Sequence, residues 1–255
     1  MRALFPKLLV GCFVACLAAG THAADTLRLR ADTWMPFNGE PDGKLPGYAI
    51  EVARIVCGKN GITLDYQNMP WGDALKAAAA GKIEAVIGAN KDEAAGLVVP
   101  QVPIGLPRIA LIVRKQNAWR YGNLSSLQAV RLAVIKDYKY WPALDEYLAR
   151  TGEPHVFKLS GDHPLVDALA RVQDGTVDIV AETSSVFIWT AKEAGYEPAA
   201  FRIAYLHEGD PVYFAFAPGA AGQRYARLFD DGIRALRKSG EFARILERYG
   251  LTDWE

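Results

Sequence analysis

Cysteine is nearly absent from this chain. Its 255 residues include three, and Cys12 and Cys16 fall in the apolar N-terminal stretch. Cys57 is left without a partner for an internal disulfide, and no Cys/His cluster has metal-ligand spacing. Its distance from Ile50 and Ala53 on a helical face makes it a buried, inert thiol. Histidine is also sparse, at four residues, and charge of either sign is not in excess, with 29 basic against 29 acidic residues. That balance argues against nucleic acid or an anionic membrane as partner. Motifs supply no nucleophile–base pair and no phosphate-binding loop. The one long apolar run, Leu8 to Leu17, is too short to cross a bilayer. It follows Arg2 and Lys7 and precedes Thr21-His22-Ala23, which is the pattern of a cleaved export signal over residues 1–23. Leu9-Val10-Gly11-Cys12 also fits a lipoprotein cleavage pattern, but it sits too early in the run. The mature chain is expected to be soluble, with no membrane insertion, and long enough for two cores.

The chain does contain a repeat. Asp73-Ala74-Leu75 is followed by Gly81 and then Ile83-Glu84-Ala85-Val86. In the same internal register, Asp167-Ala168-Leu169 is followed by Gly175 and Val177-Asp178-Ile179-Val180. Each copy reads as a helix, a glycine stop in the left-handed region, and a short buried strand. Two copies imply two α/β lobes. In open α/β sheets ligands lie beyond the carboxyl ends of the strands, which draws attention to Gly88-Ala89-Asn90-Lys91 and Glu182-Thr183-Ser184.

Around the repeat, Leu27–Ala31 alternates as a first strand, and Tyr48–Cys57 is an amphipathic helix closed by Gly58 and Gly61. Ile62–Gln67, Ile109–Arg114 and Arg131–Ile135 read as strands. Pro142 suits the first turn of a helix over 141–150. The proline-containing stretch from Val98 to Pro107 is extended and edge-like, an approach to a crossover, and Val212–Ala217 carries the chain back. Two helices with apolar faces, one through Tyr225, Phe229 and Ile233 and one through Phe242, Ile245 and Tyr249, meet at Gly240. The polar stretch holding His155 and His163 reads as loop.

Trp34-Met35-Pro36-Phe37, the segment from Gly47 to Ala53, both copies of the repeat and the tail from Ser239 to Gly250 occur in an order that resembles a known family. The chain is similar to periplasmic solute-binding proteins of ABC importers, family 3, over nearly its whole mature length. The resemblance implies an α/β fold of the type II periplasmic-binding-protein class, with two lobes joined by two hinge crossovers. Lobe one would comprise residues 25–107 plus 212–255, and lobe two residues 108–211. It further implies a periplasmic, monomeric binding protein that closes over a small-molecule solute and serves an ABC permease, with no cofactor and no catalysis.

Carried over residue by residue, the resemblance makes Trp34 a ligand-stacking aromatic and Trp71 a second aromatic of the same wall. Where amino-acid binders of this family have hydroxyls and a carboxylate-gripping arginine, this chain has Asn90 and Lys91 and no arginine fork. Where they have an aspartate for the α-ammonium, it has Thr183, with Glu182 one position earlier. A Gly-Thr pair is replaced by the segment from Asp137 to Tyr140. The expected cleft is therefore Trp34, Trp71, Tyr138 and Tyr140 as walls and Asn90, Lys91, Glu182 and Thr183 as polar points. It suits a polar, aromatic or cationic organic solute better than a standard α-amino acid. Asp137 is weighed as a helix N-cap and Arg108 as an anion contact. Two other functions compete: a periplasmic accessory or sensory binding protein, and a dehydratase-type enzyme using Glu182 or Asp137 as acid or base.

Overall fold

The computed structural model describes residues 25–254. Residues 1–23, expected from the sequence to be an export signal, lie outside the described residues together with Cys12. Two sheets organise the rest. The first is built from β1 (Thr26–Ala31), β2 (Thr63–Asn68), β3 (Ala85–Ala89) and, much later in the chain, β9 (Tyr213–Phe216), in the order β2-β1-β3-β9. The second contains β4 (Arg108–Arg114), β5 (Leu132–Ile135), β6 (Val156–Leu159), β7 (Ile179–Thr183) and β8 (Phe201–Glu208), in the order β6-β5-β7-β4-β8.

The two sheets share one plan. Helices α1 (Tyr48–Lys59) and α2 (Trp71–Ala79) link β1, β2 and β3, while α3 (Pro142–Arg150) and α4 (Pro164–Asp174) link β5, β6 and β7. Both units place their first strand in the middle and pair it in parallel with the other two. Each then accepts one antiparallel strand from outside the unit, β9 on β3 and β4 on β7. The duplicated phrase thus belongs to a duplicated βαβαβ unit, and the molecule is a two-lobed α/β protein.

The glycines of the repeat end their helices as the sequence indicates. Gly81 and Gly175 have φ of 67° and 83°, a region where a β-carbon is disfavoured. The acidic residues three positions on have a shared structural role. Glu84 accepts from the backbone N–H, Nε and Nη2 of Arg28, and Asp178 accepts from the same three groups of Arg131. Arg131 holds the Asp178 carboxyl below its usual range. Each pair stitches the neighbouring strand to the start of the repeat's strand.

Between the lobes the chain crosses twice, and the two segments run side by side. Gly105 bridges Val212, and Gly209 N–H donates to the Pro107 carbonyl at 3.0 Å. The extended stretch before the first crossover is fixed by Asp230 of α6 (Ala220–Lys238), whose carboxylate accepts from the N–H groups of Gln101 and Val102. Helix α7 (Glu241–Glu247) follows Gly240, whose φ is 72°. Cys57 is buried in α1, and burial pushes its thiol up to about 11. No described helix is long and apolar enough to cross a membrane.

The strands and helices not anticipated from sequence are β6, α5 (Ser184–Glu193) and β8. The stretch with His155 and His163, expected to be loop throughout, contains β6. His155 precedes this strand, and His163 caps α4 with no side-chain bond. Asp137 is not a helix cap. Trp141 occupies the N-cap of α3, and Asp145 takes the Tyr140 N–H instead.

Candidate functional site

A cleft open to solvent lies between the sheets. Its polar and aromatic lining comes mostly from residues just beyond the carboxyl ends of parallel strands, as strand geometry requires. Asp32 and Trp34 follow β1, Trp71 follows β2, and Asn90 and Glu93 follow β3. From the other lobe, Tyr138, Lys139 and Tyr140 follow β5, while Glu182 and Thr183 end β7. The crossovers complete it with Pro107, Ile109, Asp210 and Val212.

Seven of the eight residues singled out from sequence line this cleft: Trp34, Trp71, Asn90, Tyr138, Tyr140, Glu182 and Thr183. Lys91 lies instead in an adjoining groove with Asp92 and Pro211, its Nζ 5.6 Å from the Tyr213 ring centroid. Arg108 is also outside the cleft lining and pairs with Glu208 at 2.9 Å. Asp32, Glu93, Lys139 and Asp210 were not anticipated. Asp32 was accessible to the same rule that flagged β3 and β7, since it is the first residue after β1. Glu93 needs the turn at Asn90, whose Oδ1 accepts from the N–H groups of Asp92 and Glu93 and swings the glutamate back toward Trp71.

Each cleft tryptophan donates its indole N–H to a glutamate. Trp71 Nε1 reaches Glu93 Oε1 at 3.1 Å, and Trp34 Nε1 reaches Glu182 Oε1 at 3.3 Å. The first pair stays within one lobe and the second crosses between lobes. Trp34 is held edge-fixed by stacking on Phe37, with centroids 4.0 Å apart and planes 19° apart. A second bond across the cleft runs from the Tyr138 hydroxyl to Asp32 Oδ2 at 2.6 Å. Tyr140 turns its hydroxyl oxygen to the Ile135 N–H and so presents its ring as wall. A third approach between lobes involves Asp137, whose φ of 66° makes it the one described non-glycine residue in the left-handed region. Its carboxylate lies against the first turn of α2, so that a β-carbon at Gly72 would come within 2.9 Å of Oδ2.

Three cleft carboxyls are pushed toward neutrality. Burial raises Glu182 to about 7, with the nearby Asp32 charge adding to it, and burial raises Glu93 to about 7 and Asp32 to about 6. A carboxylate leaving water without a cation beside it must rise in this way. The only basic residue in the lining is Lys139, and no arginine lines the cleft among the described residues. No described group of His, Cys, Asp and Glu could hold a metal ion.

The model of the bacterial extracellular solute-binding proteins, family 3, matches residues 29–252. The chain belongs to this family. Solved structures of similar fold agree with the two-lobed family 3 architecture. A histidine kinase sensor domain similar to periplasmic binding proteins superposes with a TM-score of 0.74 at 19% identity, covering 89% of this chain and 98% of that one. A structure from glutathione import via GshT and the cystine ABC importer TcyBC of Streptococcus mutans gives 0.73 at 20% identity, covering 89% and 96%. An ancestral amino-acid-binding protein, a precursor of cyclohexadienyl dehydratase, gives 0.67 at 19% identity, covering 88% and 94%. At these identities the likeness is one of fold. No curated protein matches the chain.

Proposed function

We propose that this family 3 protein is exported to the periplasm by its N-terminal signal and closes two lobes over a small organic solute for delivery to an ABC permease. Lobe one comprises residues 25–107 plus 212–255, and lobe two residues 108–211. The solute presents an aromatic or cationic face and is not a standard α-amino acid. The observation that carries this reading is the composition of the cleft: four aromatic walls, four carboxylates and no arginine. An α-carboxylate is best gripped by a bidentate guanidinium, and Lys139 offers only a point charge. Indole and phenol faces, by contrast, attract flat and cationic groups.

Native mass spectrometry of gently purified protein tests the reading by catching a co-purified solute, complemented by a thermal-shift panel. A solute in large excess over its Kd adds about 3 to 4 kcal/mol to the folded state. A cationic or aromatic compound whose binding falls at least tenfold in Trp34→Ala is the expected result. Tight binding of an ordinary amino acid that survives both Trp34→Ala and Lys139→Ala would overturn it.

A sensory or accessory role is a second reading, supported by the likeness to a kinase sensor domain over 98% of that chain. Reconstituted transport with the cognate permease, absent for a sensory protein, separates the two. The chain is read as a binder rather than a catalyst. Turnover of a bound solute that disappears in Glu182→Gln would reverse that.

A further inference from the structure

The turn after β5 sends two neighbouring residues across to the unit of the first sheet, and only one of them lines the cleft. Tyr138 N–H donates to the Ile135 carbonyl at 3.3 Å, closing a tight turn with Asp137 in its third position. Asp137 has φ of 66° there, a conformation for which glycine is the ordinary occupant. Strain of this kind persists where surrounding contacts hold it.

The contact made by the Asp137 side chain is with α2. A β-carbon built on Gly72 would meet Asp137 Oδ2 at 2.9 Å, Cγ at 3.3 Å and Cβ at 3.5 Å. The whole side chain therefore rests on the face that glycine leaves bare. Gly72 is the second residue of α2, and the N-cap, Pro70, supplies no side-chain bond. The first N–H groups of a helix lack intrahelical acceptors and carry partial positive charge, which favours a carboxylate beside them. Asp73, the acidic residue of the same turn, pairs with Lys76 at 3.5 Å. Neither Asp137 nor Gly72 lines the cleft, but their neighbours Tyr138 and Trp71 do, so the contact lies just beside it.

Tyr138 makes the second contact. Its hydroxyl donates to Asp32 Oδ2 at 2.6 Å, and it is the one side-chain donor that reaches this carboxylate among the described residues. Removing it leaves Asp32 to be desolvated without a partner, which favours parting the lobes.

We propose that Asp137 and Tyr138 form a clasp between the two lobes, closed by protein groups alone, with Asp137 as a positioning residue that does not touch the solute. This deepens the proposed function by assigning the contact that governs admission and release of the solute, and that assignment rests on that reading. The clasp itself does not, because all its partners belong to this chain.

The test is made on the mature chain with no solute added. Spin labels on Ala79→Cys and Ala149→Cys, exposed positions of α2 and α3, report the distance between the lobes by double electron–electron resonance. Cys57 is buried and does not compete for label. In a separate background, the rate at which a methanethiosulfonate modifies Thr183→Cys reports access to the cleft. Asp137→Gly and Gly72→Ala are each expected to raise the ratio of open to closed molecules, and the modification rate, by roughly two- to fivefold. Tyr138→Phe should raise the ratio on the order of tenfold or more.

Both rim variants suit their backbone. Glycine is at ease in the left-handed turn and alanine in the helix, so neither thermal midpoint should fall, a result that a merely structural role would not give. The double variant should open no further than either single one, since each removes the same contact. Unchanged distances and modification rates in both single variants overturn the clasp, and so does a double variant whose effect is the sum of the two. An unchanged distance in Tyr138→Phe removes the hydroxyl from it. Binding of an ordinary amino acid, the result that overturns the proposed function, leaves these solute-free readings as they are.

Discussion

Glu182 lines the cleft as a buried carboxyl, at a cost in stability that depends on pH. It is the penultimate residue of β7, just before the chain turns into α5, and is almost wholly buried. Its carboxyl is raised from 4.5 to about 7, first by burial. The folded chain therefore holds the proton more tightly than the unfolded chain. The resulting stabilisation is fully present below about pH 4.5 and is lost as pH rises through 7. Glu182→Gln should match the wild type closely in thermal melts at pH 5 and exceed it at pH 8 by on the order of 2 kcal/mol. An equal difference at both pH values would show that the glutamate is not titrating in the folded state. Asp178 has the opposite sign. Its carboxyl is lowered by Arg131, so its contribution disappears only as pH falls below the ordinary carboxylate range.

At the scale of elements, the repeat is a working unit of helix, stop and strand. Gly175 closes α4 with φ of 83°, and an added β-carbon would also sit 3.3 Å from the Arg114 guanidinium. Gly175→Ala is expected to cost about 1 kcal/mol, read as a lower urea midpoint with an unchanged m-value. A neutral outcome would mean that the turn relaxes out of the left-handed region. The elements missed from sequence have physical reasons. β6 is four residues long with a mixed burial pattern, too short for alternation to register. β8 is an edge strand, half-buried along most of its length, and lacks the apolar run of a central strand. α5 begins directly on the last residue of β7 with no side-chain cap, so no start signal separates helix from strand.

At the scale of the whole molecule, residues far apart in sequence hold the crossovers in place. Asp230 in α6 accepts the N–H groups of Gln101 and Val102, just ahead of the first crossover. Asp230→Ala would leave those donors without their acceptor and is expected to cost about 2 to 3 kcal/mol, measured by urea unfolding. If the loss is under 0.5 kcal/mol, water has replaced the carboxylate and the contact is not an anchor of the fold. The same scale explains the site. Seven sequence-selected residues reach one cleft because both βαβαβ units point the ends of their parallel strands at each other. Lys91 is carried into the next groove because the turn beginning at Asn90 directs Glu93, not its neighbour, toward Trp71.

Local rules were legible in the sequence: where the helices of the repeat stop, which of its strands are buried, that the α/β unit occurs twice, and that the arginine fork of amino-acid binders is missing. These follow from glycine's freedom, hydrophobic period and residue chemistry, which act over a few positions. That Asp32 and Glu182 line one cleft, that Trp34 bonds a glutamate from the other sheet, and that Lys139 rather than Lys91 enters the lining all follow from tertiary structure alone. Charge interaction and burial depend on distance in space. Here that distance is set by two crossovers that bring β1 of one sheet to face β7 of the other.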